Sequence, residues 1–449
     1  MKSWSAQEGL DTFFHYLRFP TVSARPEHAA DMRSCAIWLL ELMQSWGASV
    51  SLEETGGPPI ILAEFPAQVN TASTLLIYGH YDVQPAEPLD LWQSPPFSPE
   101  LRDGKIVARG ATDNKGQTFS LLLGLREMLA ARALPVKVTV MLEGEEEVGS
   151  PHLAAWVEKN KEALRCDAVL ICDTSMIETG WPAITTGLRG IDCFDFEING
   201  PRCDLHSGMF GGPTPNPALA LARILTRLHN DAGEITIPHF YDGLIEVSPA
   251  ELKSWQDLPW NETWFEQATG IKPSAGERNY SVLEKVWSRP TAEINGISSG
   301  YQGSGSKTII PACASAKVSF RLVPGQDPQR IAQLVQTWFK QELMCEHVTG
   351  RCIYDHGGDP FFTAPDHPSM NLVSRALTQA FGRAPAWTRE GLSIPVAALL
   401  QKQLQVPVIL AGLGLPDCQA HAPNETFPLT QFEGGARFVK AMLQEMGGV

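Results

Sequence analysis

Histidines and carboxylates recur in this sequence just after short apolar runs, and they are the residue types that hold divalent cations. His80 stands in GHYDVQP (residues 79–85), Asp113 in RGATDNKG (109–116), four glutamates in EGEEEVGS (143–150), Asp173 directly after AVLIC, and His421 at the head of HAPNE (421–425). A neutral imidazole at His80 suits a borderline metal such as Zn²⁺, and Asp82 two residues on can accept the other ring N–H and fix the tautomer. Taken singly, most of these fragments have a plainer reading. His-x-Asp is commonly a satisfied structural histidine, and an Asp in a Gly-rich turn before a helix is commonly a cap. The acidic run resists such a reading, because Glu143, Glu145, Glu146 and Glu147 would repel one another at a strand end unless protons or cations offset their charge. A solvated acidic loop is the alternative, but Val138–Leu142 feeds straight into the run and points it inward. Together, His80, Asp113, Glu147, Asp173 and His421 could hold a pair of divalent ions about 3.5 Å apart, sharing one carboxylate and one water. The mixed nitrogen and oxygen set favours Zn²⁺ or Mn²⁺ over Ca²⁺ or a thiolate site.

These residues need a scaffold that makes them converge. Leu75–Tyr78, Val136–Leu142, Ala168–Cys172 and Val406–Ala411 are apolar, end abruptly in polar clusters and read as buried strands. Helical patterns at Cys35–Trp46, Thr118–Ala131 and Gln431–Met446 alternate with them, which predicts an α/β fold with a mostly parallel sheet covered on both faces. Ligands collect beyond the carboxyl ends of such strands, where His80, Glu143–Glu147, Asp173 and, a little further on, His421 fall. From about Gly190 to Asp359 the pattern changes to strand (Ile191–Ile198), helix (Pro217–His229), strand near Ala292, strand (Ala316–Leu322), helix (Pro328–Leu343) and strand near Cys352. That order is the split βαβ, or ferredoxin-like, unit. The expected organisation is a catalytic domain in two parts, 1–187 and 360–449, interrupted by a smaller α+β domain at 188–359. A Trp- and Pro-rich stretch, 237–290, has no assignable pattern and reads as either a functional excursion or an ordered surface loop.

Composition narrows the function classes. A chain of 449 residues with 43% hydrophobic and 19% charged residues is long enough for two folded domains. No apolar run approaches the roughly 18 residues a membrane span needs, and Glu8 and Asp11 precede any apolar stretch, so export and insertion are not expected. The formal net charge of −15 opposes binding to a phosphate backbone. Nine scattered cysteines without a Cys-x-x-Cys pair fit reduced thiols in the cytoplasm.

Beyond the blocks already quoted, DLHSGMFGG (204–212), GSGSKTIIP (303–311), FRLVPGQDP (320–328), HGG (356–358) and REGLSIP (389–395) occur in an order that resembles the M20 metallopeptidases. Within that family the likeness is to cytosolic non-specific dipeptidases and carnosinases, and it runs over nearly the whole chain. The resemblance implies that Asp113 bridges two ions, with His80 and Asp173 on one and Glu147 and His421 on the other. It implies that Glu146 is the general base and that Asp82 orients His80. The inserted domain would be a lid that also forms a homodimer, with His206 and Thr308 reaching the partner subunit's site. Arg321, His356 and Ser393 would hold the substrate's terminal carboxylate or close over it. Two positions depart from the pattern: Asn114 stands where many relatives carry a second acid, and Leu392 stands beside Ser393 where Gly is common. The second departure bears on the shape of the specificity pocket.

The expected reaction is hydrolysis of the amide bond of a dipeptide or short peptide with a free C-terminal carboxylate, which the planar fork of Arg321 can pair bidentately. An N-acyl amino acid deacylase or desuccinylase could use the same site, and in the family an Asp at the position of Asp173 goes with dipeptidases and aminopeptidases. A non-catalytic binding protein is disfavoured by the complete ligand set. A di-metal phosphatase lacks a phosphate-binding Gly loop or basic cluster.

Overall fold

The computed structural model describes residues 3–69 and 73–448. The chain forms two compact units: one from the residues up to Thr186, Thr363–Thr388 and the residues from Val396 on, the other from Gly187–Phe362 and Arg389–Pro395. Among the described residues no helix is long and apolar enough to cross a membrane.

The first unit is built on an α/β sheet whose central strands are the expected apolar runs. Across it the strands run Ser49–Glu53, Ile60–Phe65, Lys137–Glu143, Thr74–His80, Ala168–Ile171, Val408–Leu410 and Ala183–Leu188, with Ala386–Glu390 also pairing Ala183–Leu188. Thr74–His80 lies parallel to both Lys137–Glu143 and Ala168–Ile171, and Val408–Leu410 is parallel to Ala168–Ile171. The flanking pairs are antiparallel. The four parallel strands are nearly continuous runs of buried residues, as expected where helices cover both faces. The antiparallel flank Ile60–Phe65 escaped sequence reading because it sits directly after a pair of prolines, a context that reads as a turn.

Helices Ala29–Ser45, Lys115–Ala130 and Leu429–Gly447 each extend the expected segment by one or more residues at the N-terminal end. The Lys115 helix is buried along most of its length and packs under the end of the central strands. Gly79 makes that approach possible, since a Cβ there would overlap Thr118 Oγ1 and Cγ2, and Thr118 is only 1% exposed. Thr118 in turn donates to Asn114 Oδ1, so this packing fixes the turn that follows Asp113.

The second unit contains a four-stranded antiparallel sheet in the order Thr291–Ser299, Cys313–Leu322, Gly190–Asn199, Thr349–Gly358, with helices Pro217–Thr226 and Pro328–Cys345 packed on its apolar face. This is the ferredoxin-like order. The apolar alternation of Gly190–Asn199 and Cys313–Leu322 buries Phe194, Phe196, Val318 and Phe320 against those helices. Segment 237–290 is an ordered excursion with helices at Pro249–Gln256, Glu262–Thr269 and Val282–Trp287, and Trp287 stands edge-on to Trp255 and Trp260.

Gly79→Ala should lower stability by about 1–3 kcal/mol, because the buried Thr118 has no room to give. Thermal unfolding would show a clear drop in midpoint; an unchanged midpoint would mean that the helix does not pack against the strand this closely.

Candidate active site

The five expected metal ligands all fall in the first unit, and strand ends or adjoining loops deliver them. His80 is the final residue of its strand rather than the residue beyond it, because it still pairs with Glu143 on the neighbouring strand. Its Nδ1 faces the Asp82 carbonyl at 3.1 Å and Asp82 Oδ1 at 3.2 Å, which holds the ring from behind and turns Nε2 toward the cluster. Asp82 Oδ2 also accepts from the Glu147 amide at 3.1 Å, tying the His80 loop to the acidic loop.

Around Nε2 the carboxylates close in. His80 Nε2 lies 3.3 Å from Asp113 Oδ1 and 3.7 Å from Asp173 Oδ2, while His421 Nε2 lies 2.8 Å from Asp113 Oδ2 and 3.5 Å from Glu147 Oε2. Asp113 thus stands between the two imidazoles. One ligand atom each from His80, Asp113 and Glu147 lies within 4.8 Å of the others. His80 Nε2 and Glu147 Oε1 are buried with no hydrogen-bond partner among the described residues. Buried polar atoms are normally satisfied, and two orphans of this kind amid a nitrogen and oxygen donor set fit divalent cations rather than a closed hydrogen-bond network. Asn114 fills the place beside Asp173, donating to Asp173 Oδ1 at 2.7 Å and to the Cys172 carbonyl at 2.6 Å.

His421 comes from an exposed loop in which Gln419, His421 and Asn424 adopt left-handed φ values of 56°, 62° and 62°. Asn424 pins that loop through bonds to the Gln93 amide and the Leu91 carbonyl, both at 2.8 Å.

Two residues that sequence reasoning did not single out organise the site from beneath. Glu425, fully buried, accepts from the amides of Gly110, Thr112 and Asp113 at 2.8, 2.7 and 2.9 Å, and from Arg109 Nη1 at 2.8 Å. Arg109, 1% exposed, also donates to the Pro85 and Ala422 carbonyls. The pair therefore joins the loops that carry His80, Asp113 and His421. Both residues sit inside the motif blocks RGATDNKG and HAPNE, and the available signal was a charge of each sign embedded in blocks otherwise accounted for by metal ligands.

Electrostatics reflect the crowding. Burial pushes the Glu146 carboxyl up to about 8, helped by Asp173, Glu147 and Asp82, and burial with Asp113 pushes Glu147 up to about 7. Burial likewise pushes Glu143 up to about 7 while Tyr78 donates to it at 2.5 Å. The bond to Asp113 raises His421 to about 9. Burial works against a charged His80, yet Asp113, Asp173 and Asp82 carry it well above the ordinary value. Burial alone would raise Asp113, but His421 and His80 hold it below the usual carboxylate range.

The remaining expected residues lie in the second unit. His206 and Thr308 come together there: His206 pairs with Ile309, and the Ser207 amide donates to the Thr308 carbonyl at 3.0 Å. His206 is exposed, with Nδ1 accepting from the Gly208 amide at 3.0 Å. Arg321 lies on Cys313–Leu322 opposite Ile191 and Thr291. His356 is exposed on Thr349–Gly358 beside Asp355, and Ser393 is half-buried in the Arg389–Pro395 segment.

Residues 76–445 match Peptidase family M20/M25/M40, and the chain belongs to this family. It is 32% identical over 402 residues to the Cys-Gly metallodipeptidase of Schizosaccharomyces pombe, covering 87% of this chain and 83% of that protein. It is 30% identical over 394 residues to the human Beta-Ala-His dipeptidase, covering 87% and 78% respectively. Among solved structures it superposes on an M20 family metallo-carboxypeptidase from Sulfolobus solfataricus with a TM-score of 0.81 at 30% identity, covering 98% of this chain and all of that one.

Two outcomes follow from this geometry. Glu425→Gln places an N–H against backbone donors and should weaken divalent-ion affinity about ten- to hundredfold by calorimetric titration; unchanged affinity would leave Glu425 a purely structural residue. Stability of the metal-free protein should fall as pH rises from about 5 to 8. Glu143, Glu146 and Glu147 are raised to about 7 to 8 from the ordinary 4.5, so the native state binds more protons than the unfolded chain across that window. His421, raised to about 9, acts in the same direction above its ordinary value of 6.5. Midpoints measured in chelator should drop across the window and become flatter with Mn²⁺ present; a rising midpoint in chelator would contradict the assigned environments.

Proposed function

We propose that this protein is a dipeptidase that uses two divalent ions, Zn²⁺ or Mn²⁺, one of which would be held by His80 and Asp173 and the other by Glu147 and His421, with Asp113 shared by both sets. The observation that carries the reading is the gathering of His80, Asp113 and Glu147 donor atoms within 4.8 Å, with His421 and Asp173 closing the ring. Such ions, when bound, lower the pKa of a water from about 15.7 toward about 7 and polarise a carbonyl. Glu146, half-buried and with its carboxyl pushed up to about 8, is suited to take the proton of the attacking water and return it to the departing amine. Asp82 keeps His80 oriented throughout.

The second unit supplies substrate recognition in this reading. Arg321 pairs with the terminal carboxylate, Ser393 and His356 complete that contact, and His206 with Thr308 acts across a homodimer to stabilise charge on the scissile carbonyl oxygen. A dimer is supported by the edge strand Thr291–Ser299, whose Ile294 and Ile297 are 44% and 63% exposed. All nine cysteines are free, which fits a reducing cytoplasm. The dipeptidase names of the relatives favour dipeptides over N-acyl amino acids.

A panel of dipeptides, dipeptide amides and N-acyl amino acids assayed with Mn²⁺ and Zn²⁺ tests the reading. Free dipeptides should be hydrolysed at least about tenfold more efficiently than the other two classes; preference for N-acyl amino acids would replace it with a deacylase. Glu146→Gln should keep its metal content and lose about 10²- to 10⁴-fold in kcat, and retained turnover would remove Glu146 from its role. Arg321→Ala should raise KM for free-carboxylate dipeptides by about ten- to hundredfold, with no such rise for the amides.

A further inference from the structure

The Trp- and Pro-rich excursion 237–290 touches the Arg389–Pro395 segment at two places, both within the second unit. Glu251, on helix Pro249–Gln256 and 1% exposed, receives Arg389 Nε on Oε1 at 2.9 Å and Arg389 Nη2 on Oε2 at 3.2 Å. Arg389 is fully buried, and its guanidinium lies 5.0 Å from the Phe362 ring centre. A forked guanidinium and a carboxylate joined by two bonds fix direction as well as distance. Glu251 is itself held: it is the N3 residue of a capping box, with Oε2 accepting from the Ser248 amide and hydroxyl at 3.0 and 2.9 Å. At the second place, a Cβ on Gly391 would lie 2.9 Å from the Val286 carbonyl of helix Val282–Trp287 and 2.8 Å from Arg189 Nη2. Only a glycine lets the segment run so close. Arg189 then secures it from the other side, its amide donating to the Glu390 carbonyl and its Nε to the Gly391 carbonyl, each at 3.2 Å. Trp255 against Trp287 makes the two contacting helices one body.

We propose that the excursion is a positioning element for the substrate-carboxylate loop, with the Glu251–Arg389 pair as the clamp that sets where Ser393 stands. The proposal rests on the reading above that Ser393 contacts substrate. Glu251 and Arg389 are positioning residues, two or more residues removed from the contact they control. A buried charge pair with both partners sequestered would be an expensive way to hold a surface loop, since apolar residues of similar volume stabilise as well. Its directional geometry is what an apolar contact would lack. Burial works against ionisation of Glu251, yet the bonds from Arg389 and Ser248 hold its carboxyl below the ordinary value.

The test is the double variant Glu251→Leu/Arg389→Met, which removes both charges together, with Glu251→Gln as the milder change should the double variant unfold. Amide hydrogen exchange in residues 389–395 of the metal-loaded protein should quicken by at least about tenfold. KM for a free-carboxylate dipeptide should rise about ten- to hundredfold with kcat within about threefold, since a displaced binding group weakens capture more than chemistry. Exchange and KM both at the wild-type level would overturn the proposal. Ser393→Ala separates the two layers: if it raises KM while the clamp variants do not, the clamp is wrong. If Ser393→Ala leaves KM unchanged, the substrate reading of the loop is wrong, and the exchange rate alone decides the clamp.

Discussion

Mutual repulsion among buried carboxylates is the constraint on which the first unit turns. Asp82, Asp113, Glu143, Glu146, Glu147 and Asp173 gather at strand ends and adjoining loops, and burial disfavours the charged forms of Glu143, Glu146, Glu147 and Asp173. Protons and two imidazoles can offset that charge in part, as the raised values of His80 and His421 indicate. Divalent cations would offset it more fully and would give partners to His80 Nε2 and Glu147 Oε1, which have none among the described residues. A parallel sheet suits the purpose because each strand ends at the same edge, so residues nearly a hundred positions apart, such as His80 and Asp173, meet without a dedicated loop.

The rest of the first unit fixes where these donors stand. Glu425 accepts from the Gly110, Thr112 and Asp113 amides of one loop and from Arg109, so the peptide carrying Asp113 has its position dictated by a fully buried carboxylate. Lys115, fully buried with Nζ on the Phe19 carbonyl at 2.8 Å, anchors the start of the next helix to the N-terminal segment. Thr21 then reaches the Tyr81 carbonyl at 2.6 Å, returning the linkage to the His80 loop. The site is thus framed by bonds between loops, each short and each from a buried group, while the candidate ligand His421 stands on an exposed loop.

Much of this was legible beforehand because strand ends announce themselves. The runs at 75–78, 136–142, 168–172 and 406–411 are apolar and abrupt, so the parallel core and the acidic loop after Leu142 could be placed from residue type alone. Flanking strands such as Ile60–Phe65 were not, since pairing with a neighbour decides them more than local pattern. Arg109 and Glu425 were quoted within motifs but not recognised as a buried pair, because partners 316 positions apart leave no periodic signal. Segment 237–290 was opaque for a similar reason: its helices are short, and Glu251 acquires meaning only through Arg389, 138 positions later. Leu392, which departs from the family pattern, has a side chain that is 51% exposed and shows no left-handed φ, so its backbone does not require glycine.

The measurement that bears most directly on this picture is calorimetric titration of the metal-free protein with Mn²⁺ or Zn²⁺, alongside Asp113→Asn. The wild-type chain should bind two ions, and the variant, deprived of the carboxylate that faces both His80 and His421, should bind one weakly or none. Fewer than one ion bound by the wild type, or two bound by the variant with undiminished affinity, would contradict the shared-carboxylate centre.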